Sequence, residues 1–511
     1  MKIENKIFDK SWINLIEFFN ETKTYQDLII KSFGDKEMLF TPLVESLKIS
    51  ILNDDKTDEY YKPVPDGMNF LVTKKNGKHD SIVTLAMESG KLFYKNIKVF
   101  DNEDHLQEKD KRHFLKNWAR TTVGLDLVED LNQNTDQVDT AFSPNKMILT
   151  AGPSISSMEN FYSFDAAKNG WNSQWSKYLT KFESDFTDYI GAKYALATSS
   201  CTGALQIALM SLDIGEGDEV IVPDLTWVAT ANAVRYVGAT PIFADVELDS
   251  WNLDAKSVES LITKNTKAIM PVHMYGHPAR MSNIVKIANE YNLRIIEDAA
   301  PAIGAKWEEK NCGTFGDFAG FSFQGAKLLV TGEGGMLVTN NEDLYLKAKK
   351  IWDQGRNPSK VFWIDADGVK FKMSNVQAAL GLGQIHRADE LIEMKRRIFS
   401  WYEEGLSENK YVTLNKEVSG ARSIYWMSSI FLSDQAGLSR NELMLHLKNN
   451  NVDTRPVFPA ISKYPIWNKT QKPKTNALKI GEQAMNLPSG VCLTKDEVMY
   501  VCRQINQALG K

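Results

Sequence analysis

The chain has 511 residues, 43% hydrophobic and 24% charged, enough for a large buried core shared between two or more domains. Its net charge of −5 and the lack of any long basic run argue against a nucleic-acid-binding protein. Cys201, Cys312, Cys492 and Cys502 lack CxxC spacing, so neither a metal site nor a disulfide framework is indicated. The charged amino terminus has no apolar core of a signal peptide, and no run approaches about 18 apolar residues. The expectation is a cytoplasmic protein with no membrane span.

Residues 1–135 differ in texture from the rest of the chain. Residues 8–19 set Trp12, Leu15, Ile16 and Phe19 at helical spacing, and strand-like runs come next at 69–73, 81–87 and 92–100. The connections at 74–78 and 88–91 carry the glycine and polar residues of hairpin turns. A small antiparallel sheet with flanking helices is expected, one helix falling over 113–120. His105 and His113 stand alone in charged segments, where solvated histidines are the ordinary case. The region reads as a separate small α+β domain, and the polar stretch around 132–140 places a linker at 136–147.

Beyond it, helical periodicity resumes over 175–189 through Tyr178, Leu179, Phe182 and Phe186. Strands then alternate with helices, at 194–198, 219–222, 241–244, 268–271 and 294–297. Such alternation implies a mostly parallel sheet covered on both faces, with its strand ends in one crevice. Farther on, 377–391 has apolar residues on a helical pattern, and a charged helix with aromatics succeeds it at 395–403.

Four strand ends carry chemistry. Residues 194–205 run from a strand through Thr198-Ser199-Ser200-Cys201-Thr202-Gly203 into a helix, whose open N–H groups and hydroxyls make a phosphate cradle. Ser199 and Ser200 suit a plain helix cap equally well. Residues 220–230 bring Trp227 to a strand end, where its face can stack on a planar ring. Residues 293–300 end in Glu297 and Asp298, where α/β folds place ligand chemistry. Finally, a short run at 319–323 delivers Lys327 ahead of Gly332, Gly334 and Gly335, which let the backbone pass close to something bulky, and 336–339 reads as another strand. Cradle, ring stacker, strand-end carboxylate and lysine are the requirements of pyridoxal 5'-phosphate.

These residues carry a resemblance. Residues from about 148 to 511 resemble the DegT/DnrJ/EryC1/StrS family of sugar aminotransferases, fold type I enzymes that use pyridoxal phosphate. The likeness rests on Ser322-Phe323 with Lys327, the Gly332-Glu333-Gly334-Gly335 turn, Glu297-Asp298-Ala299-Ala300, the stretch from Pro223 through Thr226-Trp227 to Val234, and Gly217-Asp218-Glu219 before it. Residues 271–278 and 325–335 are most similar to the GDP-perosamine synthase branch, which converts a GDP-linked 4-keto-6-deoxymannose to its 4-amino sugar. The resemblance implies a large α/β domain over 148–368. A smaller α+β subdomain over 369–511 would take its outer helices from 432–450 and 495–509.

It also implies roles. Lys327 would carry the cofactor and shuttle the proton, for which a buried lysine with depressed proton affinity is suited. Asp298 would pair with the pyridine nitrogen. Thr202, the backbone at Cys201 and Gly203, and Ser322 would bind the phosphate, and Trp227 would stack on the ring. Two positions depart from the family. Pro301 stands where a glutamine normally bonds the cofactor's 3'-oxygen, a role for which Gln324 or a water are the substitutes. Lys370 stands where an asparagine reaches the phosphate from the neighbouring subunit, so a homodimer with shared sites is expected. The amino donor would be L-glutamate and the acceptor a nucleotide-linked keto sugar, in amino-sugar, lipopolysaccharide or O-antigen biosynthesis. Arg356 is a candidate for a donor carboxylate or a sugar-nucleotide phosphate. His273 and His277 either line the sugar pocket or are satisfied loop histidines. Lys327 argues against the branch that replaces this lysine with histidine. An aminocyclitol or keto-acid substrate, or a regulatory or scaffold role on the same fold, are the alternatives.

Overall fold

The structure, a computed structural model, describes residues 142–144, 146–155, 157–467 and 471–510, together with the backbone of six strands nearer the amino terminus. The described residues divide into two compact units, Met1–Gln137 with Ser154–Gln174, and Val138–Pro153 with Trp175–Lys511.

In the first unit β1 (Leu28–Phe33), β2 (Lys36–Pro42), β3 (Met68–Lys74), β4 (His79–Glu88), β5 (Lys91–Val99) and β6 (Leu127–Val128) lie side by side in chain order. The first four pairings are antiparallel and the last is parallel. Strands β3 to β5 fall on the three runs expected from the sequence. The helices expected at 8–19 and 113–120 lie outside the described residues. Helix α1 (Ser157–Asn169) belongs to this unit.

The first helix of the second unit is α2 (Lys177–Ile190), whose Tyr178, Leu179, Phe182, Phe186 and Ile190 are buried along one stripe. Gly191 ends it in the left-handed region at φ 77°, its N–H returning to the Thr187 carbonyl. Seven strands form the central sheet: β7 (Tyr194–Thr198), β8 (Glu219–Pro223), β9 (Thr240–Ala244), β10 (Thr266–Ile269), β11 (Arg294–Asp298), β14 (Phe318–Ser322) and β15 (Gly335–Thr339). The short hairpin of β12 (Lys306–Trp307) and β13 (Lys310–Asn311) lies apart from it. The spatial order is β7-β15-β14-β11-β10-β8-β9. Only the pairings of β15 are antiparallel, and the other four are parallel. Both faces are covered, which is why β7, β8, β11, β14 and β15 read as near-continuous apolar runs.

Helices α3 (Cys201–Ser211), α4 (Ala229–Tyr236), α5 (Met281–Glu290) and α6 (Glu342–Trp352) follow β7, β8, β10 and β15. Phe186 meets Phe321 at 5.0 Å and Phe182 meets Phe323 at 5.1 Å between ring centroids, fixing α2 on the strand that leads to Lys327. Each such buried phenylalanine contributes about 1.5–3 kcal/mol of transfer free energy.

After α7 (Asn375–His386) and α8 (Ala388–Leu406), a four-stranded antiparallel sheet orders β16 (Val412–Leu414), β18 (Ser429–Leu432), β20 (Ala484–Asn486) and β19 (Arg455–Pro456). The two-residue β17 (Ala421–Arg422) instead joins the β12 hairpin. The helix expected from 432 starts later, at Arg440. Leu432 ends a strand, and Ser439 closes a capping box with Glu442 that fixes the helix start. Helix α9 (Lys495–Ala508) packs with α8 around Ile398, Tyr402, Val498, Val501 and Ile505.

Candidate active site

The carboxyl ends of β7, β8, β11 and β14 open on a cavity of about 440 Å³. Its lining includes Cys201, Thr202, Trp227, Asp298, Ser322, Gln324 and Lys327, so seven of the residues singled out in the sequence meet in one place.

At the end of β7, Ser200 caps α3, its hydroxyl accepting from the Gly203 N–H at 3.1 Å. Among the described residues the N–H groups of Cys201 and Thr202 and the Thr202 hydroxyl have no hydrogen-bond partner. These open donors at the positive end of an eleven-residue helix suit a phosphate. The fit is tight on two sides. A Cβ on Gly335 would stand 2.5 Å from the Cys201 nitrogen, and one on Gly203 3.0 Å from the Phe371 ring. Gly203 therefore contributes through its lack of a side chain, its N–H being taken by the cap.

Asp298 ends β11 and is buried. Its Oδ2 accepts from the Thr230 hydroxyl at 2.7 Å and its Oδ1 from the Ala300 N–H at 3.2 Å, with the Cys201 thiol 4.0 Å away. Burial raises its proton affinity, and Thr230, the Ala300 N–H and Lys327 act against that. A buried carboxylate with two neutral donors has room for a cationic partner, as a protonated ring nitrogen would be.

Lys327 follows β14 in a turn in which its own N–H donates to the Gln324 carbonyl. Its partly buried amine lies over the Trp426 ring, 3.8 Å from the centroid. Burial pushes its pKa down to about 8, with Asp298 and Cys201 pulling the other way. Trp227 is 57% exposed at the cavity wall, tilted against Phe458 at 5.6 Å. Gln324 Oε1 accepts from the Ala326 N–H at 2.9 Å, which leaves its amide NH₂ as the available donor, and Pro301 lines the same cavity. The donor set thus fits pyridoxal phosphate: open N–H groups for the phosphate, a carboxylate for the ring nitrogen, an indole for the ring face and an amine for attachment.

Four candidates lie elsewhere. His273 does not line the cavity. Its Nδ1 accepts from the Ala279 N–H at 3.0 Å, so Nε2 carries the proton and donates to Glu297 at 3.0 Å. Glu297 in turn accepts from the N–H groups of Gly313, Phe315 and Gly316, so the pair braces β11 from behind. His277 is also buried away from the cavity, with Nε2 accepting from the Val418 N–H at 3.2 Å and Nδ1 2.8 Å from the Pro278 carbonyl. Both are satisfied loop histidines. Arg356 and Lys370 are exposed on the hairpin between 353 and 370 and do not line this chain's own cavity.

Sequence reasoning missed Thr230, Tyr275, Trp426 and Phe458 as lining residues. Thr230 had a readable signal, one helical turn after Trp227 on α4. Tyr275 lay unremarked within the 271–278 stretch, and Trp426 and Phe458 come from distant segments with no local pattern. Among the described residues no cluster of metal-ligating side chains occurs, and no helix is long and apolar enough to cross a membrane.

Comparison with known proteins agrees with this geometry. Residues 153–506 match the model of the DegT/DnrJ/EryC1/StrS aminotransferase family. The chain is 40% identical over 362 residues to GDP-perosamine synthase of Escherichia coli O157:H7, covering 71% of this chain and 98% of that protein. It is 38% identical over 368 residues to GDP-perosamine synthase of Caulobacter vibrioides, with the same coverage. Among solved structures, DesI, determined in the presence of its TDP-sugar product, superposes with a TM-score of 0.67 at 27% identity, covering 72% of this chain and 94% of that one. The chain belongs to the DegT/DnrJ/EryC1/StrS aminotransferase family and is a pyridoxal-phosphate-dependent sugar aminotransferase.

Proposed function

We propose that this enzyme moves an amino group from L-glutamate to C4 of a GDP-linked 4-keto-6-deoxymannose, working as a cytoplasmic homodimer that supplies an amino sugar for lipopolysaccharide O-antigen. The observation that carries the reading is the meeting of Lys327, Asp298 and the open start of α3 in one cavity. The chain that builds it spans 98% of an enzyme named for the GDP-linked product.

In this reading the N–H groups of Cys201 and Thr202, the Thr202 hydroxyl and Ser322 hold the cofactor phosphate. Trp227 covers the ring face, Gln324 donates toward its oxygen, and Lys327 attaches it. When bound, pyridoxal phosphate supplies the electron sink that makes proton loss from the substrate carbon accessible. Burial raises the proton affinity of Asp298; Thr230 and the Ala300 N–H oppose that at its two oxygens, and a protonated ring nitrogen held there would favour the carboxylate further. Lys327 Nζ takes the proton from the donor α-carbon and, in the second half-reaction, returns one to the former carbonyl carbon of the sugar. With its pKa near 8, about one tenth of the amine is unprotonated at pH 7, which suits a base that must also act as an acid.

The dimer is supported by the hairpin carrying Lys370. Its Val361 is 86% exposed and its Phe362 92%, with Trp363 and Ile364 about half exposed, an apolar loop that a second copy would cover. Lys370 could then reach the partner's cofactor phosphate.

The test is to incubate the protein with L-glutamate and GDP-4-keto-6-deoxymannose and follow 2-oxoglutarate and the amino sugar by mass spectrometry. One amino sugar per 2-oxoglutarate is expected. Amination of a dTDP-linked keto sugar alone would overturn the nucleotide assignment, and amination of neither would overturn the substrate class.

A further inference from the structure

Two buried side chains beside the cavity take no part in the proposed transamination. Trp426 donates its indole N–H to the carbonyl of Ala326, the residue before Lys327, at 2.8 Å, while its ring face lies against the Lys327 amine at 3.8 Å. One side chain thus holds both the backbone and the tip of Lys327. Behind it, Lys395 of α8 is 4% exposed. Its amine donates to the Trp426 carbonyl at 2.9 Å and to the Ser489 carbonyl, and among the described residues no carboxylate pairs with it. Ser489 is itself fixed, its hydroxyl accepting from the Ser428 N–H at 2.9 Å and its N–H donating to the Thr150 carbonyl at 2.9 Å. With no counter-ion, burial pushes the pKa of Lys395 down to about 7, and charged or neutral the amine has N–H donors for both carbonyls, tying two separate segments into one node directly behind Trp426.

We propose that Trp426 is a positioning residue for Lys327, its indole face holding the amine in the cavity and favouring the ammonium form, and that Lys395 fixes Trp426 by tying its carbonyl to that of Ser489. The inference rests on the reading of Lys327 as the lysine that carries the cofactor. The physical basis is the negative face of the indole, which attracts a cation most strongly where water is excluded. Among the described residues the other charged or titratable groups lining the cavity with Lys327 are Asp298 on β11, Cys201 on α3, Glu333 in the turn before β15 and Tyr275 in the loop after β10. They are unchanged in every variant of the test. The Lys327 amine thus sits between burial, which drives its proton off, and the Trp426 face together with Asp298, which keep it on.

The test uses the full chain freed of cofactor, so the readout does not depend on turnover. The Lys327 amine is pulse-labelled with a reductive methylation reagent across a pH series, and the modified peptide is quantified by mass spectrometry. In the wild type the labelling midpoint is expected near pH 8. Trp426→Phe and Trp426→Leu should lower it in that order, raising labelling at pH 7 by about two- to fivefold for the leucine variant. Lys395→Met should shift it the same way with the indole still present. If Trp426→Leu does not fold, Trp426→Phe and Lys395→Met make the same comparison. A midpoint that stays in place or rises in the folded variants overturns the proposal. The underlying reading of Lys327 fails separately, by borohydride reduction of the cofactor-loaded enzyme leaving the cofactor mass on a different lysine.

Discussion

Asp298 and Lys327 show how much a single position could disclose. Lys327 was legible from its company, the cradle, Trp227 and Asp298 upstream, and the glycines after it have two separate uses: Gly332 takes a left-handed φ of 83°, and a Cβ on Gly334 would meet Thr331 at 2.4 Å. Asp298 was legible from its place at the end of an apolar strand. The histidines were not, because His273 and His277 owe their state to partners at Glu297 and Val418 that no spacing announces. Trp426 is likewise 100 residues from the Ala326 carbonyl it binds. At this scale the account makes a direct prediction for Asp298→Asn. The amide oxygen can keep the Ala300 N–H, and its NH₂ can donate to the Thr230 hydroxyl, which still has the Trp227 carbonyl to bond, so the fold should survive at a cost of about 1–3 kcal/mol. Without the carboxylate opposite the ring nitrogen, kcat should fall by about a hundredfold or more, the size of a lost electrostatic partner at a reacting centre. Near-normal kcat in the folded variant would remove Asp298 from that role.

Elements were read more completely than side chains, because apolar runs and their punctuation are local. The runs at 194–198 and 219–222 became β7 and β8 almost residue for residue, and 175–189 became α2. The run expected at 268–271 lies at Thr266–Ile269 instead: Pro271 has no N–H for the ladder, and pairing beside β11 resumes only at the bridge of Val272 with Asp298. What the runs did not disclose is how closely elements approach. Strand β15 passes the start of α3 with no room for a side chain at Gly335, so Gly335→Ala should push the Cys201 N–H out of line. Cofactor affinity is then expected to drop by about tenfold or more, measured by titrating cofactor-free enzyme, and unchanged affinity would count against the cradle. The loop at 273–277 gives a second prediction, in pH. Burial pushes the pKa of His277 down to about 4, whereas an unfolded histidine titrates near 6.5. Between those values the unfolded chain holds more protons, so stability falls as pH drops through this window, by up to about 3 kcal/mol. Urea midpoints of the wild type should decline from pH 6.5 to 4 more steeply than those of His277→Gln, and parallel declines would exclude His277 as the cause.

For the whole molecule, the alternation of strands and helices was enough to give the sheet and its crevice. The hairpin at 353–370 was opaque, because no local pattern announces that Val361 and Phe362 stand exposed on it. Sedimentation of the wild type should show a dimer, and Phe362→Asp should shift it toward monomer with activity reduced at least about tenfold as Lys370 loses its target. A monomeric wild type with full activity would dismiss the shared site. The family match starts at residue 153, so the six-stranded sheet before it lies outside what the relatives share. We propose it as a domain separate from the catalytic unit. The most direct measurement of the central claim is to reduce the cofactor-loaded enzyme with borohydride, with and without prior L-glutamate, and to locate the cofactor mass by peptide sequencing. The account predicts attachment at Lys327, lost when glutamate is added first. Attachment at any other lysine, or at Lys327 with no response to an amino donor, would contradict it.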